Sequence, residues 1–234
     1  MSGPSKLGLA SSLRRTSRDP ALQALAEGPL GRAGGVAVFE GVPDPATCTA
    51  LALEAHAAYP ESSRQVLEHG DGADGRGGLP ARALHTAGAG AAQDALYGSA
   101  WLHAFLSEQC GTAIAPSGNR GSYSYYVQPG DHLGLHLDVD TCDVTLITVL
   151  HDDTDPADAA GGLAVYPGAL GAPLRQVRAA PEAGMGVVKA SPGQSIVILG
   201  GLVPHRVLPL GPWGQRIISA LCFRAAAPDP FTAS

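Results

Sequence analysis

A mainly β protein with flanking helices, its core a double-stranded β-helix (a cupin-like jelly roll), is predicted by three features of the sequence. Helical signals dominate the first half, and the apolar period changes to an extended one after Gly118. Eight short apolar stretches then follow: "SYSYYVQ", "GLHLDV", "DVTLITVL", "GGLAVYP", "GVVKA", "SIVILGG", "HRVLPL" and "QRIISALCFRA". Pro and Gly turns separate them, a spacing that suits strands of a closed double sheet. No internal repeat is visible.

The elements can be justified in chain order. Residues 1–34 form an N-terminal arm with a short helix in "DPALQALAEG", where Asp19 supplies an N-cap and Pro20 a favourable first helical position. "GVAVFEGV" at 35–42 reads as a strand. The same Asp-Pro opening recurs at Asp44-Pro45, and Ala and Leu at helical spacing continue until Pro60 stops the helix. From Glu61 to Gly90 the chain is too polar and glycine-rich to build a core, so a long loop is expected there, placed to serve as a lid. A helix over 93–109 has an apolar face of Leu96, Leu102, Phe105 and Leu106. One domain at 35–234 results, with helical support and lid loop over about 35–117 and the jelly-roll core over about 118–226.

The 234 residues are enough for one sizeable core. With 15 Lys and Arg against 21 Asp and Glu the net charge is −6, and the only basic cluster is Arg14, Arg15 and Arg18, so nucleic acid is not an expected partner. Cys48, Cys110, Cys142 and Cys222 are far apart, indicating neither a zinc knuckle nor a disulfide framework, and a reducing interior fits best. The N-terminus has no apolar run, and no segment approaches the roughly 20 apolar residues that span a bilayer. A cytoplasmic protein without membrane contact is the expectation. Oligomeric state is not readable.

The stretch "GLHLD" places His136 two residues before Asp138. With eight His in the chain, such a triplet arises by chance about once in two chains of this composition, so alone it means little. In a strand, however, residues two apart share a face, and both side chains can point into a barrel mouth. The competing triplet His151-Asp152-Asp153 ends an apolar strand and runs into the polar "DDTDPAD", a solvated loop. His205, 69 residues beyond His136, follows the apolar "SIVILGG", a gap that suits a return from across a barrel. Two imidazoles and a carboxylate are the donor set of a facial triad that leaves one face of a metal open.

With these residues the sequence resembles the Fe(II)/2-oxoglutarate-dependent dioxygenases, in particular their prolyl-hydroxylase-like branch, over about residues 120–224. His136, Asp138, His205, Val207 and Arg216 match the family pattern of His-x-Asp, a gap, His-x-Val and a basic residue about ten positions on. The resemblance implies Fe(II) held by His136, Asp138 and His205, with 2-oxoglutarate and O2 as co-substrates. It implies hydroxylation of a C–H bond with release of succinate and CO2, and the carboxylate at Asp138 argues against halogenation. Arg216 would take the far carboxylate of 2-oxoglutarate in a bidentate fork, since an Arg among apolar residues needs an anion. Tyr126, ten residues before His136, matches a tyrosine that contacts 2-oxoglutarate in some members, though it can equally be a core aromatic beside Tyr123 and Tyr125. Thr145 and Ile147, alternating on the next strand, are candidates for the same pocket wall. Ser219 is one residue out of register for the Arg-x-Ser pattern of another branch and is not assigned.

His132 and Asp140 are expected to be solvated, and His56, His69, His85 and His103 lack any ligand spacing. Arg64, Arg76, Arg82 and Arg120 are candidates for an anionic group on the substrate, expected to be a small metabolite such as an amino acid or natural-product intermediate. Two alternatives stay open: a non-redox cupin-type metal or ligand binder, in which Arg216 is dispensable, and a hydroxylase of a protein side chain.

Overall fold

The computed structural model describes residues 19–226. Most of the predicted arm, including Arg14, Arg15 and Arg18, and the last eight residues lie outside the described residues. Helix α1 (Pro20–Glu27) begins where Asp19 Oδ1 accepts the Ala21 amide at 2.9 Å, and a short α2 (Pro29–Arg32) follows. After strand β1 (Val36–Glu40), helix α3 (Pro45–Ala58) is capped by Asp44, which accepts the amides of Ala46 (2.9 Å) and Thr47 (3.1 Å). Both Asp-Pro signals therefore work as read: the carboxylate satisfies amides that no preceding turn can reach.

The expected loop over 61–90 is corrected. It contains β2 (Ser63–Leu67) and β3 (Arg82–Ala87), an antiparallel pair. Their sequences carry little apolar signal because sheet hydrogen bonds, rather than burial, hold them; β3 pairs β5 (Ser122–Tyr126) and β6 (His132–His136). Apart from Ser62 and residues 88–90, only residues 68–81 of this segment remain irregular. The single helix expected over 93–109 is also two, α4 (Ala91–Tyr97) and α5 (Ala100–Cys110), broken at Gly98. Its apolar face is as predicted: Leu96, Leu102 and Leu106 are buried, each burial contributing about 1.5–3 kcal/mol, and Phe105 packs edge-on against Phe39 at 5.0 Å.

A short β4 (Ile114–Pro116) precedes β5 and β6; β7 (Val144–Asp152), β8 (Leu163–Val165), helix α6 (Leu174–Ala179), β9 (Gly186–Val188), β10 (Gln194–Ile198), β11 (His205–Val207) and β12 (Arg216–Ala225) complete the chain. The strands form one curled antiparallel sheet in the order β1-β10-β7-β12-β5-β3-β6-β11-β8-β9, with β2 on β3 and β4 on β12. The eight strands read from the sequence divide into two sets, β10-β7-β12-β5 and β6-β11-β8-β9. Successive strands cross between the sets as a jelly roll requires, apart from β8 and β9, which pair side by side in the second set. Among the described residues no helix is long and apolar enough to cross a membrane.

Alternation along β5 sorts its tyrosines. Tyr123 and Tyr125 face α3, their hydroxyls donating to Glu54 Oε1 (2.6 Å) and the Ala55 carbonyl (2.7 Å), while Ser124 and Tyr126 turn inward. The reading of the cysteines as separate is corrected as well: Cys142 and Cys222 form a disulfide across 80 residues of sequence. Only the sheet register brings them together, since Cys222 lies opposite Thr145, three residues beyond Cys142.

Glu54 ties the helices to the sheet. Besides Tyr123 it accepts the amides of Ala92 (2.7 Å) and Gln93 (3.1 Å), capping α4 from another helix. Burial alone would raise its carboxyl, but these hydrogen bonds outweigh burial and hold it below its ordinary value of 4.5. A depressed carboxyl stabilises the fold above its unfolded pKa and loses that contribution as pH falls through the folded one. Glu54→Gln should therefore cost about 1–2 kcal/mol near neutral pH, and the gap to the parent protein in denaturant midpoints should close in acid. A gap independent of pH would mean that the carboxylate charge is not what matters.

Candidate metal centre

Two neighbouring strands and one loop build the centre. His136 ends β6, His205 begins β11, and the two are direct cross-strand partners, with ring centroids 4.2 Å apart. His205 thus returns to the adjacent strand rather than from across the barrel. The strand expected to carry both His136 and Asp138 stops at His136, and Asp138 reaches the same point from the following loop. Its amide donates to the Gly200 carbonyl at 2.8 Å, which fixes that loop against the turn preceding β11.

One carboxylate oxygen faces both imidazoles. Asp138 Oδ1 lies 3.5 Å from His136 Nε2 and 3.5 Å from His205 Nε2. The other oxygen, Oδ2, accepts the Thr145 hydroxyl at 2.5 Å, with Cys142 Sγ at 3.7 Å. One ligand atom from each of the three residues falls within 4.8 Å of the others, the only such His/Cys/Asp/Glu group among the described residues.

The ring orientations suit metal binding. His136 Nδ1 lies 2.8 Å from the Gly134 carbonyl and His205 Nδ1 lies 2.8 Å from the Val203 carbonyl. A carbonyl only accepts, so each Nδ1 carries the proton and each Nε2 lone pair is directed at the centre. Burial and the nearby His205 lower His136. Burial alone would lower His205 too, but the Asp138 carboxylate overturns this and raises it. For Asp138, burial pulls upward and the two imidazoles outweigh it, holding the carboxyl far below the usual carboxylate range. Two imidazole nitrogens and one carboxylate oxygen on one side of a nearly buried point fit a divalent transition metal with open positions opposite.

Beyond the triad, the inner face carries the predicted pocket residues. Tyr126 and Arg216 are cross-strand partners, 1% and 3% exposed, so Arg216 is no surface residue. Burial raises the Tyr126 phenol, and the nearby Arg216 charge only partly offsets this. Ile147 lies buried on the face of β7 that carries Thr145. The anion that Arg216 needs is already supplied in part: its Nη1 ion-pairs with Asp152 Oδ2. A cavity of about 410 Å³ opens beside His136, walled by residues 68–73 and 78–81, with Gly75, and by Leu135, Leu174 and Arg178.

No family model matches the sequence, and no curated protein is similar to it. Solved structures are. A Pseudomonas putida prolyl-4-hydroxylase superposes with TM-score 0.54 at 18% identity, covering 93% of this chain and 99% of that one. An oxidoreductase of the 2OG-Fe(II) oxygenase family from Burkholderia pseudomallei gives 0.56 at 14% (92% and 97%). The non-heme alpha-ketoglutarate-dependent epimerase SnoN from nogalamycin biosynthesis gives 0.60 at 14% (90% and 86%). The fold is that of the 2-oxoglutarate/Fe(II) oxygenases.

Within this oxygenase fold the other sequence candidates find ordinary roles. His151 and Asp153 form an exposed pair, 3.6 Å apart. His132 bonds the Gly130 carbonyl, and Asp140 is exposed, 3.7 Å from Arg76 Nε. Arg64 pairs with Asp131 and Arg120 with Asp94; Arg76 binds Asp143 and the carbonyls of Val139 and Cys142, strapping residues 68–81 to the Asp138 loop. Arg82 donates to the Pro80 carbonyl. Two features escaped sequence reasoning. Gly200 lies against the Asp138 carboxylate, and the Gly-Gly ending of "SIVILGG" was its available signal. Asp152 was hidden inside the rejected His151-Asp152-Asp153 triplet.

Proposed function

We propose that this protein is an Fe(II)- and 2-oxoglutarate-dependent oxygenase that hydroxylates a C–H bond of a small metabolite. The observation carrying this reading is the convergence of His136 Nε2, His205 Nε2 and Asp138 Oδ1, each locked by its own partner, in a barrel whose inner face also bears buried Arg216. Bound there, iron with 2-oxoglutarate and O2 supplies oxidation of a C–H bond, with succinate and CO2 as co-products. The chain's own residues position and shield. His136, Asp138 and His205 hold the metal on one side, Thr145 orients the carboxylate, Arg216 and Tyr126 receive the co-substrate, and Ile147 keeps water out. Residues 68–73 and 78–81, with Gly75, wall the cavity beside His136, where the substrate would enter.

Anaerobic addition of Fe(II) and 2-oxoglutarate should produce a weak visible charge-transfer band, absent in His136→Ala. Succinate release above the uncoupled background, in a screen of amino acids and natural-product intermediates, would then identify the substrate. The pairing of Arg216 with Asp152 favours a second reading, a non-redox metal-binding protein of the same fold. Tight metal binding with no band and no succinate would establish that one instead.

A further inference from the structure

The Arg216 guanidinium is shared before any ligand arrives. Asp152 lies directly opposite it in the β7–β12 register, and the two side chains are 6% and 4% exposed. This placement comes from one extra residue. The register shifts between Ile217 and Ile218, where Leu150 bulges from β7; an unbroken ladder would put His151 opposite Arg216. Nor is the carboxylate free to turn away, because its Oδ1 accepts the Thr154 amide at 3.1 Å and hydroxyl at 2.5 Å. Tyr126, from the strand on the other side, flanks Arg216 without adding positive charge.

We propose that Asp152 sets the co-substrate affinity of this protein, partly neutralising Arg216 so that the far carboxylate of 2-oxoglutarate is held weakly. The inference rests on the 2-oxoglutarate reading of the site. Two carboxylates at one buried guanidinium repel each other, and a like charge so placed weakens binding by about tenfold or more. Asp152 acts through Arg216 and touches neither iron nor the reacting bond, so it is a positioning residue that tunes specificity. A pocket made nearly neutral in this way also discriminates poorly between 2-oxo acids with and without a charged tail.

The test compares 2-oxoglutarate with 2-oxopentanoate, which has the same chain length but no far carboxylate. Each is titrated into the anaerobic Fe(II) protein, read by the visible band and by calorimetry. The parent protein should prefer 2-oxoglutarate by less than about tenfold, whereas an unshared guanidinium–carboxylate contact gives about 10- to 150-fold. Asp152→Asn should tighten 2-oxoglutarate by about tenfold or more while leaving 2-oxopentanoate unchanged, a split that a general repacking would not produce. A folded Asp152→Asn that binds 2-oxoglutarate no better overturns the proposal and leaves the oxygenase reading standing. Should that variant not fold, the preference of the parent protein decides, and a preference above about tenfold overturns the proposal. Failure of both acids to bind both iron-loaded proteins overturns the oxygenase reading itself, and the proposal with it.

Discussion

Gly200→Ala is expected to abolish metal binding while leaving the fold intact. A Cβ at Gly200 would lie 1.8 Å from Asp138 Oδ2 and 2.6 Å from its Cγ, far inside contact distance. The Asp138 backbone cannot retreat, because its amide is bonded to the Gly200 carbonyl itself. The carboxylate must therefore rotate, losing the 2.5 Å bond from Thr145 and withdrawing Oδ1 from the two imidazoles. Gly200 is not among the residues with positive φ, so alanine fits its backbone and the damage stays local. Losing the orientation of a ligand typically lowers metal affinity by 10- to 100-fold, and displacing the ligand itself should cost at least about 100-fold. Metal content after dialysis, alongside circular dichroism and Tm, checks both halves of this expectation. Gly168→Ala, whose Cβ would have nothing within 4 Å, serves as the control. Retained metal in Gly200→Ala would show that Asp138 is not a ligand.

Arg216→Ala should raise the 2-oxoglutarate requirement by about 100-fold with Fe(II) still bound. Even a partly neutralised guanidinium offsets the charge of Asp152, and removing it presents an incoming carboxylate with an uncompensated negative charge. The same loss strands a buried carboxylate and should lower stability by about 3–5 kcal/mol. Arg216→Lys separates the two effects. It keeps a cation for Asp152 and so recovers most of the stability, but loses the planar fork and keeps a raised requirement. Succinate release against co-substrate concentration, with thermal unfolding of both variants, provides the readout; an unchanged requirement in Arg216→Ala would remove that residue from the co-substrate site.

Much of the frame was legible because its signals are local. The Asp-Pro caps, the apolar face of the 93–109 region and all eight core strands follow from neighbouring residues, and each appears in the structure. Signals failed where long-range pairing decides. The polar β2 and β3 gain order from partners, not from their own composition, and the Cys142–Cys222 disulfide needs a register that no spacing reveals.

The sequence by itself determined a jelly roll, because period is a property of the chain, and its resemblance to the oxygenase pattern singled out the four residues around which a site was proposed, His136, Asp138, His205 and Arg216. Tertiary structure alone decided how these residues meet. His205 is the direct partner of His136, both Nδ1 protons are held by carbonyls so that Nε2 faces inward, and Gly200 leaves room for the carboxylate. It also decided that Arg216 faces Asp152, through a one-residue bulge that reverses the face of every residue beyond it. Alternation read from a sequence assumes an unbroken ladder, and here the break falls beside the charge that matters.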